Sequence, residues 1–329
     1  MSSPPAVVRE RLDRAFQVVA GKGGVGRTLV ASAIALRASQ RGERVLLLEV
    51  NAPDSCARFL GVAPAPDEPR EVLPNLWLCR MTPAGAMKEY ALLILRFKAL
   101  YTLVFENRLV KYLLRSIPSL AELTMMGKAW YHTTETLDDG SPRYTRVVVD
   151  APATGHAMTF LSLSRIVADV VPPGVLKVAA EKMAALIESP IDSCLHLVAL
   201  PEEMPVNEAL ELAVFSAKKL HMATGIGVMN RRLVPFASSD ELAAIERARA
   251  SADPGLATFL ETALRRRELE SVQADHAARF AAEVDRPVVT FDEMPSRMTP
   301  QELTRHAVGW LDEAAGTNRV TMAPIGAWR

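Results

Sequence analysis

Residues Ala20 to Ser32 read AGKGGVGRTLVAS, with glycine at positions 21, 23, 24 and 26. Glycines this dense suit an ordered interior only where the backbone must curl or come unusually close to something. The run follows an apolar segment, Phe16–Ala20, and opens a stretch of helical character, Thr28–Gln40. Strand, glycine-rich turn and helix together are the setting of a phosphate-binding loop. In such a loop the backbone of Gly21, Gly23, Gly24, Val25 and Gly26 turns successive N–H groups inward. The positive end of the following helix, at Arg27, Thr28 and Leu29, adds to the attraction for phosphate oxygens. Thr28 also offers a hydroxyl to Mg²⁺. Arg27 stands where lysine is usual. It keeps the positive charge but presents a planar fork in place of a compact ammonium. Phosphate binding is expected to survive that exchange, while the fit to a transferring γ-phosphoryl group suffers. Leu29 is apolar where many such loops carry a second hydroxyl.

A loop of this kind needs a parallel sheet behind it. Seven short apolar runs read as buried strands: Phe16–Ala20, Arg44–Val50, Leu76–Cys79, Arg146–Asp150, His196–Leu200, Ile226–Asn230 and Pro287–Phe291. Helical stretches such as Thr28–Gln40, Val206–Leu220 and Asp240–Ala250 lie between most of them. The expected class is α/β, a doubly wound and mostly parallel sheet with helices on both faces. One P-loop domain is expected over residues 1–329, with a loose tail at 316–329. From 83 to about 136 the strand signal stops. The stretch is rich in Leu, Met and aromatic residues and reads as two or three helices interrupted at Pro118. It is either a helical layer buried on the sheet or an inserted subdomain whose apolar face meets a hydrophobic protein client. The helical region Gly255–Ala282 carries RRRELE, which reads as a solvated face.

Composition narrows the partners. Lys+Arg and Asp+Glu each number 38, so no net charge draws the chain to nucleic acid or anionic lipid. No apolar run approaches the roughly 18 residues of a membrane span, so no stable membrane insertion is expected. The first residues lack the apolar core of a signal peptide. Cys56, Cys79 and Cys194 are far apart and form no C-x-x-C pair. They are expected to be reduced, mostly buried thiols, which suits the cytoplasm better than a zinc site or a disulfide framework.

Lys22 follows the first glycine directly. The K-G-G-V-G pattern resembles that of the deviant P-loop ATPases, a group that includes MinD, ParA, the nitrogenase iron protein and ArsA. The segment VVVDAPATGHAMTFL, Val147 to Leu161, is similar to the second switch of the ArsA/Get branch, D-T-A-P-T-G-H-T, with its proline one place early at Pro152. LVALPEEMPVNEALELA is also similar to an ArsA segment. The resemblance runs from Val18 to about Trp310 and implies ATP or ADP with Mg²⁺ as ligands. It implies that Lys22 reaches the nucleotide of a partner across a dimer interface, in a homodimer or a heterodimer with a paralogue. Asp150 is implied to hold the Mg²⁺ shell, and the Gly155 N–H to sense the γ-phosphate, with Thr154 and His156 in the switch. Where the family carries a water-orienting aspartate in D-P-A, this chain has Asn51. An amide holds a water by hydrogen bonds but cannot take its proton. Asp54, three residues on, is the alternative. Asn230, in GVMNRRLVP, matches an asparagine that reads adenine; an Asx turn after the strand is its other reading. The segment Phe291–Pro295 is placed at the other side of the base.

Two family chemistries have no counterpart: a C-x-x-C zinc clamp, and a recognisable cysteine motif for metalloid. Two functions therefore stand side by side. One is a slow, Mg²⁺-dependent dimeric ATPase that couples nucleotide state to a helical client- or partner-binding surface. The other is a regulatory pseudo-ATPase subunit that binds nucleotide and pairs with a more complete paralogue. A positioning protein of the MinD/ParA type fits less well, because its C-terminal amphipathic membrane helix or basic patch is missing.

Overall fold

A computed structural model describes residues 5–50, 54–82, 85 and 120–317. Eight strands form one sheet: β1 (Phe16–Gly21), β2 (Val45–Val50), β3 (Arg70–Leu73), β4 (Leu76–Met81), β5 (Arg146–Asp150), β6 (Ser193–Ala199), β7 (Thr224–Arg232) and β8 (Val288–Asp292). Their order is β3-β4-β2-β5-β1-β6-β7-β8. Every neighbouring pair is parallel except β3 with β4. The seven expected strands are all present, with ends shifted by up to three residues. The addition is β3, an exposed antiparallel edge carrying Arg70 and Glu71, which has no apolar run to announce it. The fold is the doubly wound α/β sheet expected.

Side-chain alternation divides the strands between two cores. Phe16, Val18, Ala20, Leu46, Leu48 and Val149 point into one; Val19, Val45, Leu47 and Val148 point into the other. The second core is closed by α1 (Pro5–Leu12), α2 (Arg27–Gln40), α3 (Ser55–Leu60) and α10 (Pro300–Ala314). The first is closed by α4 (Leu120–Thr134), α5 (Thr154–Val170), α6 (Val175–Glu188), α7 (Glu203–Phe215) and α9 (Pro254–Glu283). The remaining helix, α8 (Ser239–Ser251), pairs with α9. Arg37 of α2 gives Nε to Asp312 of α10 at 2.9 Å, both side chains buried, which fastens the second layer across the chain's length.

One helical expectation changes. Val206–Leu220 is not one regular helix: α7 ends at Phe215 and a π-helical turn covers Ser216–Leu220. Of the insertion expected at 83–136, residues 86–119 lie outside the described residues, as does most of the expected tail. Its described end, α4, is core: Leu123, Met125, Met126 and Ala129 are buried. No helix among the described residues is long and apolar enough to cross a membrane.

One buried polar cluster pins the centre of the sheet. His196 on β6 accepts from Ile226 N through Nδ1 at 3.1 Å, and its Nε2 meets Gln17 Oε1 at 2.8 Å. Gln17 in turn donates to Leu12 O and Arg14 O, each at 2.8 Å. Burial lowers the His196 pKa from 6.5 to about 3, with the charges of Arg146 and Arg11 adding to the effect. The folded protein thus refuses a proton that the unfolded chain accepts below about 6.5. Stability is expected to fall as pH drops through that window, by up to about 1.4 kcal/mol per pH unit. Urea unfolding at pH 7, 6 and 5 should show a shallower decline for His196→Gln than for the parent; equal slopes in the two would remove His196 as the cause.

Candidate functional site

The loop after β1 is suspended at the carboxyl ends of β5, β1 and β6, where the sheet order reverses and ligands of such sheets bind. At Gly21 a Cβ would lie 2.2 Å from the Val198 carbonyl oxygen, so only glycine lets β1 leave the sheet beside β6. Gly26 has φ 96° and caps α2, and a Cβ there would meet Asn230 Nδ2 at 2.2 Å. No side chain caps the N-terminus of α2. Its first N–H groups therefore face the concavity made by Gly23 and Gly24, both exposed.

Three contacts hold the loop. Thr28 Oγ1 donates to Asp150 Oδ2 at 2.7 Å. Arg27 Nη1 donates to Ala151 O at 2.9 Å. Asn230 Nδ2 donates to Val25 O at 2.8 Å, and its Oδ1 accepts from Arg231 N at 3.0 Å. The guanidinium of Arg27 is thus anchored on the residue after β5. Asn230 is buried inside β7, two residues before its end, and supports the loop from that strand; its oxygen accepts from the adjacent N–H and forms no Asx turn. Around Asp150 the charges compete. Burial raises its pKa, while the Thr28 hydroxyl and the Arg27 charge hold it down. Burial likewise lowers Arg27, opposed by Asp150.

Two residues that the sequence did not single out complete the site. Glu49 pairs in register with Asp150, placing two buried carboxylates on adjacent strands. Its Oε1 accepts from Cys56 N at 2.9 Å, at the start of α3, and its Oε2 has no hydrogen-bond partner among the described residues. Burial raises its pKa, against the pull of the Cys56 and Ser55 N–H groups. Glu208 of α7 takes Lys22 Nζ on Oε1 at 2.6 Å and the Thr154 hydroxyl on Oε2 at 3.2 Å. One carboxylate therefore ties the loop lysine to the first residue of α5. Gly155 and His156 follow Thr154 on the exposed side. Asn51 lies outside the described residues. Asp54 sits at the N-cap of α3 and accepts from Ala65 N at 3.2 Å.

The model of the anion-transporting ATPase family matches residues 14–175, a span that holds the loop, Asp150 and the Thr154 segment. ATPase BagA of Mycobacterium tuberculosis is 27% identical over 289 residues, covering 82% of each chain. A Prosthecochloris vibrioformis protein provisionally named as an arsenical pump-driving ATPase is 28% identical over 147 residues, 44% of this chain and 34% of its own. Over residues 14–175 this chain is similar to the anion-transporting ATPases. The three cysteines are free and buried, as expected; Cys56 Sγ lies 3.6 Å from Asp150 Oδ2.

Asn230→Ala should leave Val25 O without its partner, at a cost of about 1–3 kcal/mol in stability. A folded Asn230→Ala protein should bind an ATP analogue more weakly because the loop loses its support. Gly26→Val should abolish binding, since its side chain collides with Asn230 at a positive φ. Equilibrium titration with a fluorescent ATP analogue checks both, and undiminished affinity in Gly26→Val would remove this loop as the nucleotide site.

Proposed function

We propose that this chain binds ATP or ADP with Mg²⁺ at Gly21–Leu29 and works as a slow, nucleotide-dependent dimeric ATPase, as a homodimer or paired with a paralogue. The observation that carries the reading is the 2.7 Å contact between Thr28 Oγ1, in the first turn of α2, and Asp150 Oδ2, at the carboxyl end of β5. A hydroxyl and a carboxylate oxygen are the hard donors that suit Mg²⁺. That ion needs only one or two carboxylates when phosphate supplies the rest of its shell. This fits the absence, among the described residues, of any group of three His, Cys, Asp or Glu side chains able to hold a metal. Bound there, Mg²⁺ supplies positive charge to the phosphate oxygens. The loop N–H groups orient the same oxygens, and Asp150 and Thr28 hold their own positions through β5 and α2.

Lys22 supports the dimeric half of the proposal. In its own subunit it is held by Glu208, which also holds Thr154. To serve a partner's nucleotide Lys22 must leave that carboxylate, and Thr154 then remains as the partner of Glu208. Nucleotide state and the start of α5 are linked through this exchange, which gives a route from the phosphates to a partner-binding surface. Lys22→Ala is expected to lower turnover more than affinity. Glu208→Gln is expected to favour the ATP-dependent dimer. Mass measurement in solution with and without ATP checks this, and a strictly monomeric Glu208→Gln protein at saturating ATP, with no paralogue able to pair with it, would count against the exchange.

Arg27 favours a second reading, the regulatory pseudo-ATPase. Its fork is engaged with Ala151 O and half-buried, away from the compact role of a loop lysine. Phosphoryl transfer relies on positioning and charge stabilisation. Removing one preorganised group typically costs about 10²–10³ in rate. Asn51 removes a carboxylate as well. Weak hydrolysis with intact binding is therefore expected, and Asn51→Asp together with Arg27→Lys should raise turnover at little change in affinity. Phosphate-release kinetics decide between the readings: fast turnover by the unaltered chain excludes the pseudo-ATPase, and failure to bind nucleotide excludes both.

A further inference from the structure

We propose that a cavity between α5, α7 and α9 binds a single-chain aliphatic carboxylate of the fatty-acid kind. The cavity measures about 530 Å³. That size lies in the range of small-molecule sites, which are apolar with a few convergent polar groups. Its wall is Met158 of α5 with Leu210, Val214 and Phe215 of α7. Val214 is 52% exposed, an apolar side chain at an open mouth.

The mouth is cationic. Lys218, Lys219 and Arg279 stand in the lining against one carboxylate, Glu211. Arg279 is committed: its Nε pairs with Glu283 at 2.8 Å and its Nη1 donates to Asn207 Oδ1 at 2.7 Å. That contact also occupies the amide oxygen of Asn207. Lys218 and Lys219 are exposed and make no ion pair or hydrogen bond among the described residues. Both belong to the π-helical turn Ser216–Leu220, which brings two consecutive lysines to one cavity. Single π turns inside or at the end of α-helices recur at functional sites. Here the turn is fixed by a reciprocal clasp, Ser216 Oγ to Met222 O at 3.0 Å and Met222 N to Ser216 O at 3.2 Å.

These features select the ligand. Two free ammonium groups beside an apolar wall match an anionic head on an alkyl chain. A nucleotide or sugar leaves that wall unused and finds few donors or acceptors along it. A neutral chain leaves the lysines unmatched. The site is separate from the phosphate loop: Glu208, which holds Lys22, and Leu210 with Val214, which line the cavity, are different positions of α7.

The test uses the full chain and dodecanoate below its micellar concentration, followed by titration calorimetry. Saturable 1:1 binding is expected, at least tenfold tighter than binding of 1-dodecanol. Lys218→Glu with Lys219→Glu should weaken it at least tenfold. Val214→Trp, which fills the mouth from an exposed position, should abolish it. Unfolding midpoints of both variants identify any that fails to fold, and the other then decides. No binding, or equal binding by parent and folded variants, overturns the site. Equal affinity for 1-dodecanol overturns the charge assignment, leaving the lysine stems as mere cover for apolar surface. Sedimentation with phosphatidylglycerol vesicles in the absence of dodecanoate binding assigns the face to a membrane and overturns the proposal.

Discussion

The hydrogen bond from Thr28 to Asp150 is the constraint on which the site depends. A glycine-rich loop has few side chains with which to hold itself, and its conformational entropy is high. Thr28 fastens the start of α2 to the end of β5, and Arg27 adds a bond to the next residue of the same segment. Asn230 props the loop from β7, on the far side of β6. The loop is therefore gripped from both sides of β1 and is shaped before any ligand arrives. Preorganisation of this kind leaves the N–H groups free to face phosphate.

Beneath the loop the electrostatics are deliberately unbalanced. Asp150 and Glu49 lie side by side on β5 and β2, both buried. Burying a carboxylate is costly unless charges and hydrogen bonds compensate it. Asp150 has Thr28 and Arg27; among the described residues Glu49 has backbone N–H groups at the start of α3 and one oxygen without a partner. Burial therefore pushes both carboxyl groups toward their neutral forms, and Thr28, Arg27 and the α3 N–H groups work against that push. Glu208 shows the opposite case. Its pair with Lys22 is partly solvated, with side-chain exposures of 27% and 35%. Ion pairs of that exposure are worth about 0–1 kcal/mol. A contact so weak is broken at little cost, and the pair sets Lys22 in place without fixing it strongly.

The sheet was legible because both of its faces are covered. Strands such as Leu46–Leu48 and Val147–Val149 are continuous apolar runs, and each run shares itself between two cores. The edge strand Arg70–Leu73 was hidden because half of it faces water. The phosphate loop was legible as spacing, since strand, turn and helix follow each other in the chain, whereas Asp150 and the Thr154 segment were marked out only by their resemblance to the ArsA/Get second switch. Glu208 was not, because it meets Lys22 across 186 residues of sequence and Thr154 across 54. Nothing near Glu208 distinguishes it from Glu203 or Glu211. Glu49 was hidden in the same way: an acidic residue inside an apolar run becomes informative only when register puts it against Asp150. For Asn230 the sequence offered base recognition or a local turn, whereas the structure shows its amide supporting Val25.

The two sides of α7 then follow from one another. Glu208 faces the loop, and Leu210 and Val214 face the cavity, on a helix of 13 residues that packs against α5, α9 and β6. Helices packed this way move as bodies, by small shears or rotations, because close-packed interiors do not deform continuously. Releasing Lys22 removes one of the two partners of Glu208, and the one that remains, Thr154, belongs to α5. Any adjustment of α7 against α5 is therefore also an adjustment of Leu210 and Val214 against Met158, which are two walls of the same cavity. Ser216 and Met222 clasp each other, which fixes the turn that carries Lys218 and Lys219 beside Val214 and Phe215.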